Sequence, residues 1–482
     1  MKIKRVEVQN DLLFGNVTFD FTDSRGQILD NIVIAGENGS GKTRLLNLLY
    51  DFSRLSTSDK CSNEIRHISM LASVTDLAVI QKELGNDKLL SPTGVFEITQ
   101  DFRIPAHNWD RFTVKYLSQN EDGRIDEKRI PAYKFLAKSE ISKLFRTVYS
   151  TVEINYNPKE VSNVTSKDVD ETIVESLRSS GDLASEIQQL FVDIQANDAN
   201  DLQIWVDNNP NMVPPSNVIN SRITRFKNAF SKVFDNMNYD RIVTQDNKKI
   251  VIFKKFGRDV KIASLSSGEK QIVFRGAFLL RNQQSAKGCG ILIDEPEISL
   301  HPLWQSKIFE YYRRLFVDST DTQCSQLFFA THSQYVLQST LAQPNNTVIL
   351  LLAHTSTGVS VKKMIPASLT PTLTAAELNY MAFDVISNDY HIELYGRLQS
   401  KVASIHRKRT CSVKECDTYI SKQTEYIKAL HEKKSTHTRD GKLIKYKTLP
   451  TFIRNAIDHP DPARQFTQSE LQTSIELLIK LC

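Results

Sequence analysis

The sequence is poor in cysteine, with six in 482 residues, at positions 61, 289, 324, 411, 416 and 482. They are too few and too scattered for a disulfide framework, which excludes a small disulfide-stapled scaffold. Long apolar runs are also missing: the longest, residues 348–353, falls far short of the ~20 residues that a membrane-spanning helix needs. The first ten residues, MKIKRVEVQN, are charged and then alternating, without the apolar core of a secretion signal. No sustained heptad pattern runs through residues 44–264, so a long coiled-coil arm is not expected, and no internal repeat is visible. With 40% hydrophobic and 24% charged residues, wholesale disorder is excluded. The expectation is a soluble cytoplasmic protein of about two to three domains, with no membrane partner.

The formal net charge of +5 hides an asymmetry. Residues 401–450 carry 13 Lys/Arg against 5 Asp/Glu, a balance of +8, so the remainder sums to −3. A nucleic acid or other polyanionic partner accounts for such a block, and so does a solvated helical surface. Both readings stay open.

Strand patterns occur at residues 3–8, 17–21, 31–35, 95–98, 113–116, 250–253, 290–293, 326–330 and 347–352. Short strands and loops are expected from 60 to 140. A helical insertion is expected over about 160–245, interrupted by the turn-rich stretch 208–216, and helices are expected from 375 to the end. The fold class is α/β. The expected division is an ATPase domain at 1–372 and a basic helical domain at 373–482.

Four motifs carry the functional argument. Gly36-Glu-Asn38-Gly39-Ser40-Gly41-Lys42-Thr43 fits G-x-x-x-x-G-K-[ST], between an apolar strand and an apolar helix face. Its backbone N–H groups and the following helix N-terminus suit the phosphates of ATP, Lys42 suits the β- and γ-phosphates, and Thr43 suits Mg²⁺. Ile291-Leu-Ile-Asp294-Glu295-Pro296 ends a buried strand in two carboxylates. Asp294 is the candidate metal ligand and Glu295 the candidate base for the attacking water. Phe328-Phe-Ala-Thr-His332-Ser333 ends another apolar strand in a histidine that could sense the γ-phosphate. Leu265-Ser266-Ser267-Gly268-Glu269 lies ahead of a helical pattern at residues 272–280, with Gly268 26 residues before Asp294. Alone it reads as a helix N-cap.

In that order and spacing, the fourth motif resembles the signature of ABC ATPases. The resemblance implies a P-loop ATPase head of the ABC type and a head-to-tail homodimer or higher oligomer. In it, Ser266, Gly268 and Glu269 of one subunit would face the nucleotide held by Lys42 of the other. Ser267, where transporters carry a second glycine, and the run Asp294-Glu-Pro-Glu-Ile-Ser-Leu300-His301-Pro302 look SMC-like. Gln100, after the strand pattern at 95–98, is the candidate for the glutamine that contacts Mg²⁺ in such ATPases. The roughly 220 residues between Thr43 and Ser264 argue against a transporter subunit, and the missing coiled coil argues against a chromosome-scale SMC protein. The absence of Asp-x-Asp after residue 375 argues against a fused Toprim nuclease.

The remaining resemblance is to the compact SMC-like ATPases of bacterial antiphage systems. It rests on the ATPase motifs, on Val148-Tyr-Ser-Thr-Val-Glu153-Ile-Asn-Tyr with Val164-Thr-Ser-Lys-Asp-Val-Asp170, and on His391-Ile-Glu-Leu-Tyr-Gly. The PtuA ATPases of Septu systems are most similar, followed by AriA of PARIS systems. The resemblance implies an ATP-gated scaffold for an effector nuclease of HNH or Toprim type. In retron-linked members, it also implies a reverse transcriptase and its DNA as partners.

Near the C-terminus, Arg454-Asn-Ala-Ile-Asp-His459 resembles the R-x4-H motif of HEPN ribonucleases. There the histidine would move the 2′-OH proton and the arginine would stabilise the phosphorane. The alternative is that Arg454 and His459 pair and cap a partner-docking helix. Cys411 and Cys416, with His406 and His431 nearby, have spacing at the edge of a zinc site, but free thiols are the expectation.

Overall fold

The alternation at the start of the chain becomes a strand, β1 (Lys2–Asp11), paired antiparallel with β2 (Gly15–Asp20). The computed structural model describes the chain except for residues 55–62, 86–93, 105–107, 120–123, 153–160, 166–182, 216–220, 232, 282–287, 289, 318–321, 357, 369–372, 440–441 and 463. Residues 153–156 and 166–170 of the family-resembling segments, and Cys61 and Cys289, therefore lie outside the described residues. The chain divides into two units, Met1–Thr372 and Leu373–Cys482. Among the described residues, no helix is long and apolar enough to cross a membrane.

In the first unit, β3 (Asn31–Gly36) leads into α1 (Lys42–Ser53). Then come β4 (Ile65–Leu71), α2 (Val74–Leu84), β5 (Gly94–Asp101), β6 (Phe112–Gln119) and β7 (Ile125–Ile130). Two short helices, α3 (Ala132–Leu136) and α4 (Ser139–Lys143), precede β8 (Thr147–Ser150). One antiparallel sheet has the order β2-β1-β4-β5-β6-β7. The helices α2 to α4 amend the expectation of strands and loops for this stretch. The α2 helix opens on a capping box between Ser73 and Asp76, a short-range signal that strand patterns do not register.

Next come α5 (Leu183–Asn208), α6 (Ser221–Phe230) and a three-stranded meander of β9 (Met237–Gln245), β10 (Lys248–Lys255) and β11 (Arg258–Lys261). The expected helical insertion is thus corrected at its C-terminal side, where residues 237–245 form a strand. Asp246 and Asn247, with φ of 52° and 60°, make the tight hairpin turn that sends this strand back.

The signature segment opens α7 (Ser267–Arg281), followed by β12 (Gly290–Asp294), α8 (Pro302–Arg314), β13 (Gln326–Thr331), α9 (Gln334–Ser339), β14 (Thr347–Thr355) and β15 (Gly358–Met364). These complete a second sheet, β15-β14-β3-β13-β12-β8, parallel throughout except for β15 at its edge. Every residue of β3, β12 and β13 is buried, as expected of strands covered on both faces. Leu45, Leu46, Leu48 and Leu49 of α1 share a core with Ile32, Ile34 and Leu292 of this sheet and with Val6, Ile68 and Ile98 of the other. Parallel pairing brings the C-terminal ends of β3, β12, β13 and β8 to one edge, which builds the site.

The second unit comprises α10 (Ala375–Phe383), α11 (Asn388–Ile405), α12 (Val413–Ile420), α13 (Lys428–His431), β16 (Glu432–Arg439), β17 (Lys442–Thr448), α14 (Leu449–Asp458) and α15 (Gln468–Leu481). Leu394, Leu398, Ile420, Ile453, Ile475 and Leu478 form its own core. The β16–β17 hairpin corrects the expectation of an all-helical C-terminal region. From Lys445 to Thr448, exposed and buried residues alternate with period two, the pattern of a half-buried strand rather than a helix.

Candidate functional site

The phosphate loop is shaped by its glycines. Gly36 has φ 148°, and a Cβ there would lie 2.2 Å from the Leu352 carbonyl oxygen. Gly41, the αL residue before α1, has φ 99°, and a Cβ there would lie 2.5 Å from the Phe14 ring. Neither position tolerates a side chain. Asn38 and Gly39 are exposed at the crest, whereas Ser40 is buried with its Oγ lacking a hydrogen-bond partner. The Lys42 ammonium donates to the carbonyl oxygens of Gly36 at 2.9 Å and Glu37 at 2.7 Å. Burial lowers its pKa, against the opposing fields of Glu295, Glu297 and Asp294.

The strand ends supply the carboxylates. Thr43 Oγ1 donates to Asp294 Oδ1 at 3.1 Å, and the Tyr149 hydroxyl of β8 donates to Oδ2 at 3.3 Å. Burial pushes the Asp294 carboxyl above its usual range. Glu295 stands just beyond β12 with φ 43°, a left-handed conformation rare for a residue with a side chain. Its N–H donates to the Ala330 carbonyl of β13 at 2.9 Å. His332 follows β13, and its Nδ1 lies 3.5 Å from Glu295 Oε1 and 3.4 Å from Glu297 Oε1.

Lys42, Thr43, Asp294, Glu295 and His332 thus come from three segments separated by up to 290 residues and meet at one sheet edge. The residues fit ATP and Mg²⁺. The loop has no room for side chains at Gly36 and Gly41, the lysine rests on carbonyls that it can leave, and the Thr43 hydroxyl and Asp294 carboxylate, which would hold Mg²⁺, lie together.

The signature residues gather separately at the start of α7. Ser266 N–H donates to Glu269 Oε2 at 2.9 Å, and Glu269 N–H returns to Ser266 Oγ at 3.4 Å, forming a capping box. Glu269 also pairs with Lys255 at 2.6 Å, and its carboxyl titrates below the usual range because these hydrogen bonds outweigh burial. A Cβ on Gly268 would lie 2.6 Å from the Ser299 carbonyl oxygen, so the turn after β12 packs against this helix start. Gln100 is buried in β5 of the antiparallel sheet, opposite Arg66. The strand adjoining Asp294 is instead β8, whose Tyr149 and Ser150 enter the site.

Sequence reasoning missed three participants. Arg275 of α7 is fully buried and donates to Ser150 Oγ, Ser150 O, Asp294 O and Glu295 O at 2.6–3.1 Å. Its signal is a lone arginine inside the apolar run 272–280. Tyr149 carries no such signal. Glu297 belongs to the Asp294 motif but gets no role from the motif alone. Its Oε1 accepts from Thr331 Oγ1 and His332 N–H, both at 2.8 Å.

In the second unit, Arg454 pairs with Asp458 at 2.6 Å and donates to Asn455 at 2.9 Å. His459 is exposed at the C-terminus of the same helix. His391 is buried against Ser474 and Tyr395 donates to or accepts from Thr451, so these family-resembling residues serve the unit's interior.

Among solved structures, the chain is similar to the SMC head bound to the C-winged helix domain of ScpA, with 14% identity over 76% of this chain and 98% of that one and a TM-score of 0.43. It is also similar to an SMC head with extended coiled coil from Pyrococcus furiosus, bound to the C-terminal domain of ScpA (12%, 76% and 96%, TM-score 0.40). The SMC head domain of Thermotoga maritima gives 10%, 76% and 99%, with a TM-score of 0.38. No curated protein matches significantly. Residues 32–338 match the family described as "AAA domain, putative AbiEii toxin, Type IV TA system"; this span is more than half of the chain and runs from β3 past His332, and the chain belongs to that AAA family.

Proposed function

We propose that this protein binds and hydrolyses Mg-ATP in a head-to-tail dimer or higher oligomer. We further propose that its nucleotide state regulates an effector nuclease in cytoplasmic antiphage defence. The convergence of Lys42, Thr43, Asp294, Glu295 and His332 at one sheet edge supports the ATP reading most strongly. Lys42 would leave the carbonyls of Gly36 and Glu37 for the β- and γ-phosphates. Thr43 and Asp294 would hold Mg²⁺, which when bound neutralises phosphate charge. Glu295 would take the proton of the attacking water, and His332 would face the γ-phosphate. Ser266 and Gly268 would reach the nucleotide of the opposite subunit, making hydrolysis dependent on dimer closure.

The resemblance to PtuA, with AriA second, supplies the effector as an HNH or Toprim nuclease. It also supplies, in a retron setting, a reverse transcriptase with its DNA. A ribonuclease made from Arg454 and His459 is less well supported, because Asp458 and Asn455 already engage the arginine. A DNA-repair role would show as DNA-stimulated turnover without an effector.

The test is the solution mass and co-purifying proteins of the Glu295→Gln variant with ATP, Mg²⁺ or EDTA. A closed assembly that forms only with ATP and Mg²⁺ and retains a nuclease is expected. If mass and nucleotide affinity are indifferent to ATP, the reading is wrong.

A further inference from the structure

The second unit withdraws part of the acidic charge of its basic block from the surface. Of the acids within 401–450, Asp417 is buried and accepts from Lys447 N–H, Thr448 N–H and Thr448 Oγ1. Glu415 closes the capping box at Ser412 and pairs with Lys408. The bases face outward. Lys445 and Lys447 are exposed on either side of buried Tyr446, so strand alternation puts them on one face of β17. Lys433 turns onto Phe452 and Glu470, while Lys434 beside it is 77% exposed with its ammonium 3.7 Å from Glu432. The α12 helix adds Lys414, whose ammonium reaches the Lys445 carbonyl and lies over the Tyr446 ring. Exposed Arg407 and Arg409 precede that helix.

We propose that this face of Lys434, Lys445 and Lys447, with Lys414 at the edge of β17 on the Tyr446 side, binds the phosphodiester backbone of a nucleic acid. Phosphate contacts from lysine carry little sequence information and respond strongly to salt. The test uses the full chain and labelled 25-mers of single-stranded DNA, duplex DNA and RNA, with affinity measured by anisotropy from 50 to 300 mM NaCl. For the triple variant Lys434→Glu, Lys445→Glu, Lys447→Glu, a loss of at least about tenfold is expected. Its salt slope on duplex should be shallower by about 2–3, near 0.9 per lost contact. Nucleotide binding should persist, which shows that the variant folds. The ranking of the three probes identifies the nucleic acid. Unchanged affinity in the triple variant overturns the proposal. So does polyglutamate competing as well as the oligonucleotides, which would mark an acidic protein as the partner.

An independent observation carries a second inference, which rests on the ATP reading above. Glu297 is 4% exposed, and its Oε1 holds Thr331 Oγ1 and His332 N–H while lying 3.4 Å from His332 Nδ1; its Oε2 has no hydrogen-bond partner. The geometry points to Glu297 as the positioning residue for His332: it fixes the strand end through Thr331 Oγ1 and the His332 N–H and, with Glu295 Oε1 at 3.5 Å, sets a carboxylate beside Nδ1 that favours the ring proton there. Glu297→Gln keeps an oxygen to accept the two short bonds but removes the charge. The expected result is unchanged thermal stability and ATP affinity, with kcat reduced at least about tenfold. The ring ¹⁵N shifts of His332 should also move away from the Nδ1–H pattern. Wild-type shifts and kcat in this variant overturn the role. The NMR readout needs no turnover, so an inactive wild-type protein would count against the ATP reading while leaving this inference testable.

Discussion

The nucleotide site and two groups of the second unit, buried Asp417 and partly exposed Arg454, differ in how far their hydrogen-bonding capacity is used, although buried His391 Nδ1 and Ser435 Oγ of that unit also lack a partner. At the site, Ser40 Oγ and Glu297 Oε2 have no hydrogen-bond partner, and the Lys42 ammonium rests on two loop carbonyls. In the second unit, Asp417 is saturated by two N–H groups and a hydroxyl, and Arg454 is closed by a carboxylate one helical turn away. Buried hydrogen-bonding capacity left unused is costly in a folded protein, so where it clusters it marks a place awaiting a ligand. Saturation marks a structural role. The largest test of this contrast is Lys42→Ala. Because the lysine's hydrogen bonds go to loop carbonyls, the variant should fold normally while ATP turnover drops by at least about 100-fold. A calorimetric unfolding scan beside a turnover assay checks both halves.

Arg275 tests the opposite edge of the same site. Its guanidinium serves four acceptors, three of them backbone carbonyls, and Gln271 of the same helix donates to the next carbonyl, Pro296 O, at 3.1 Å. Arg275→Met should cost about 3 kcal/mol in urea unfolding, since buried carbonyls lose their donor. It should also release the backbone of Asp294 and Glu295, so turnover falls even in the folded fraction. For Asp417→Asn a smaller loss, about 2 kcal/mol, is expected with turnover unchanged, because one of the three accepting arrangements must fail. If Asp417→Asn lowered turnover as much as Arg275→Met, the contrast between the two regions would break.

Much of the nucleotide site is legible in the sequence, because its backbone conformations demand particular residues. Gly36 and Gly41 are required by contacts that a Cβ would violate, and the fully buried strands β3, β12 and β13 read as continuous apolar runs. Asp294, Glu295 and His332 stand at or just past the ends of such runs. Arg275, Tyr149 and Glu297 act through partners 19 to 145 residues away in sequence, so no local pattern assigns their roles. The β16–β17 hairpin was obscured for a different reason: its lysines and threonines resemble a solvated helix in composition, and only the period-two burial separates the two. For Gln100, the sequence shows a strand but not which of two sheets receives it.

The pH dependence of the second unit follows from His391. Burial pushes its pKa down to about 3, and its ring bonds to Ser474 at 2.9 Å. Below pH 6.5, the unfolded chain takes up a proton that the folded ring refuses until about pH 3. Stability should therefore fall across that window as pH drops, by up to about 1.4 kcal/mol per unit. His391→Gln should flatten this part of the profile, and urea midpoints at pH 7, 6 and 5 measure it.

The smallest expected effect belongs to Arg454, and it is the one that discriminates most sharply. Its pair with Asp458 is a partly exposed i,i+4 ion pair on α14, a geometry that contributes about 0.3–0.5 kcal/mol. Arg454→Ala should therefore lower stability by no more than that and leave RNA integrity unchanged in cells expressing the protein. Arg454→Lys should restore most of the small loss, because a lysine still pairs with Asp458. If RNA were cleaved by the wild type and spared by Arg454→Ala at equal stability, the guanidinium would be doing chemistry although both Asp458 and Asn455 engage it. Saturation would then no longer distinguish a structural group from a catalytic one in this molecule, and the second unit would carry an active site of its own.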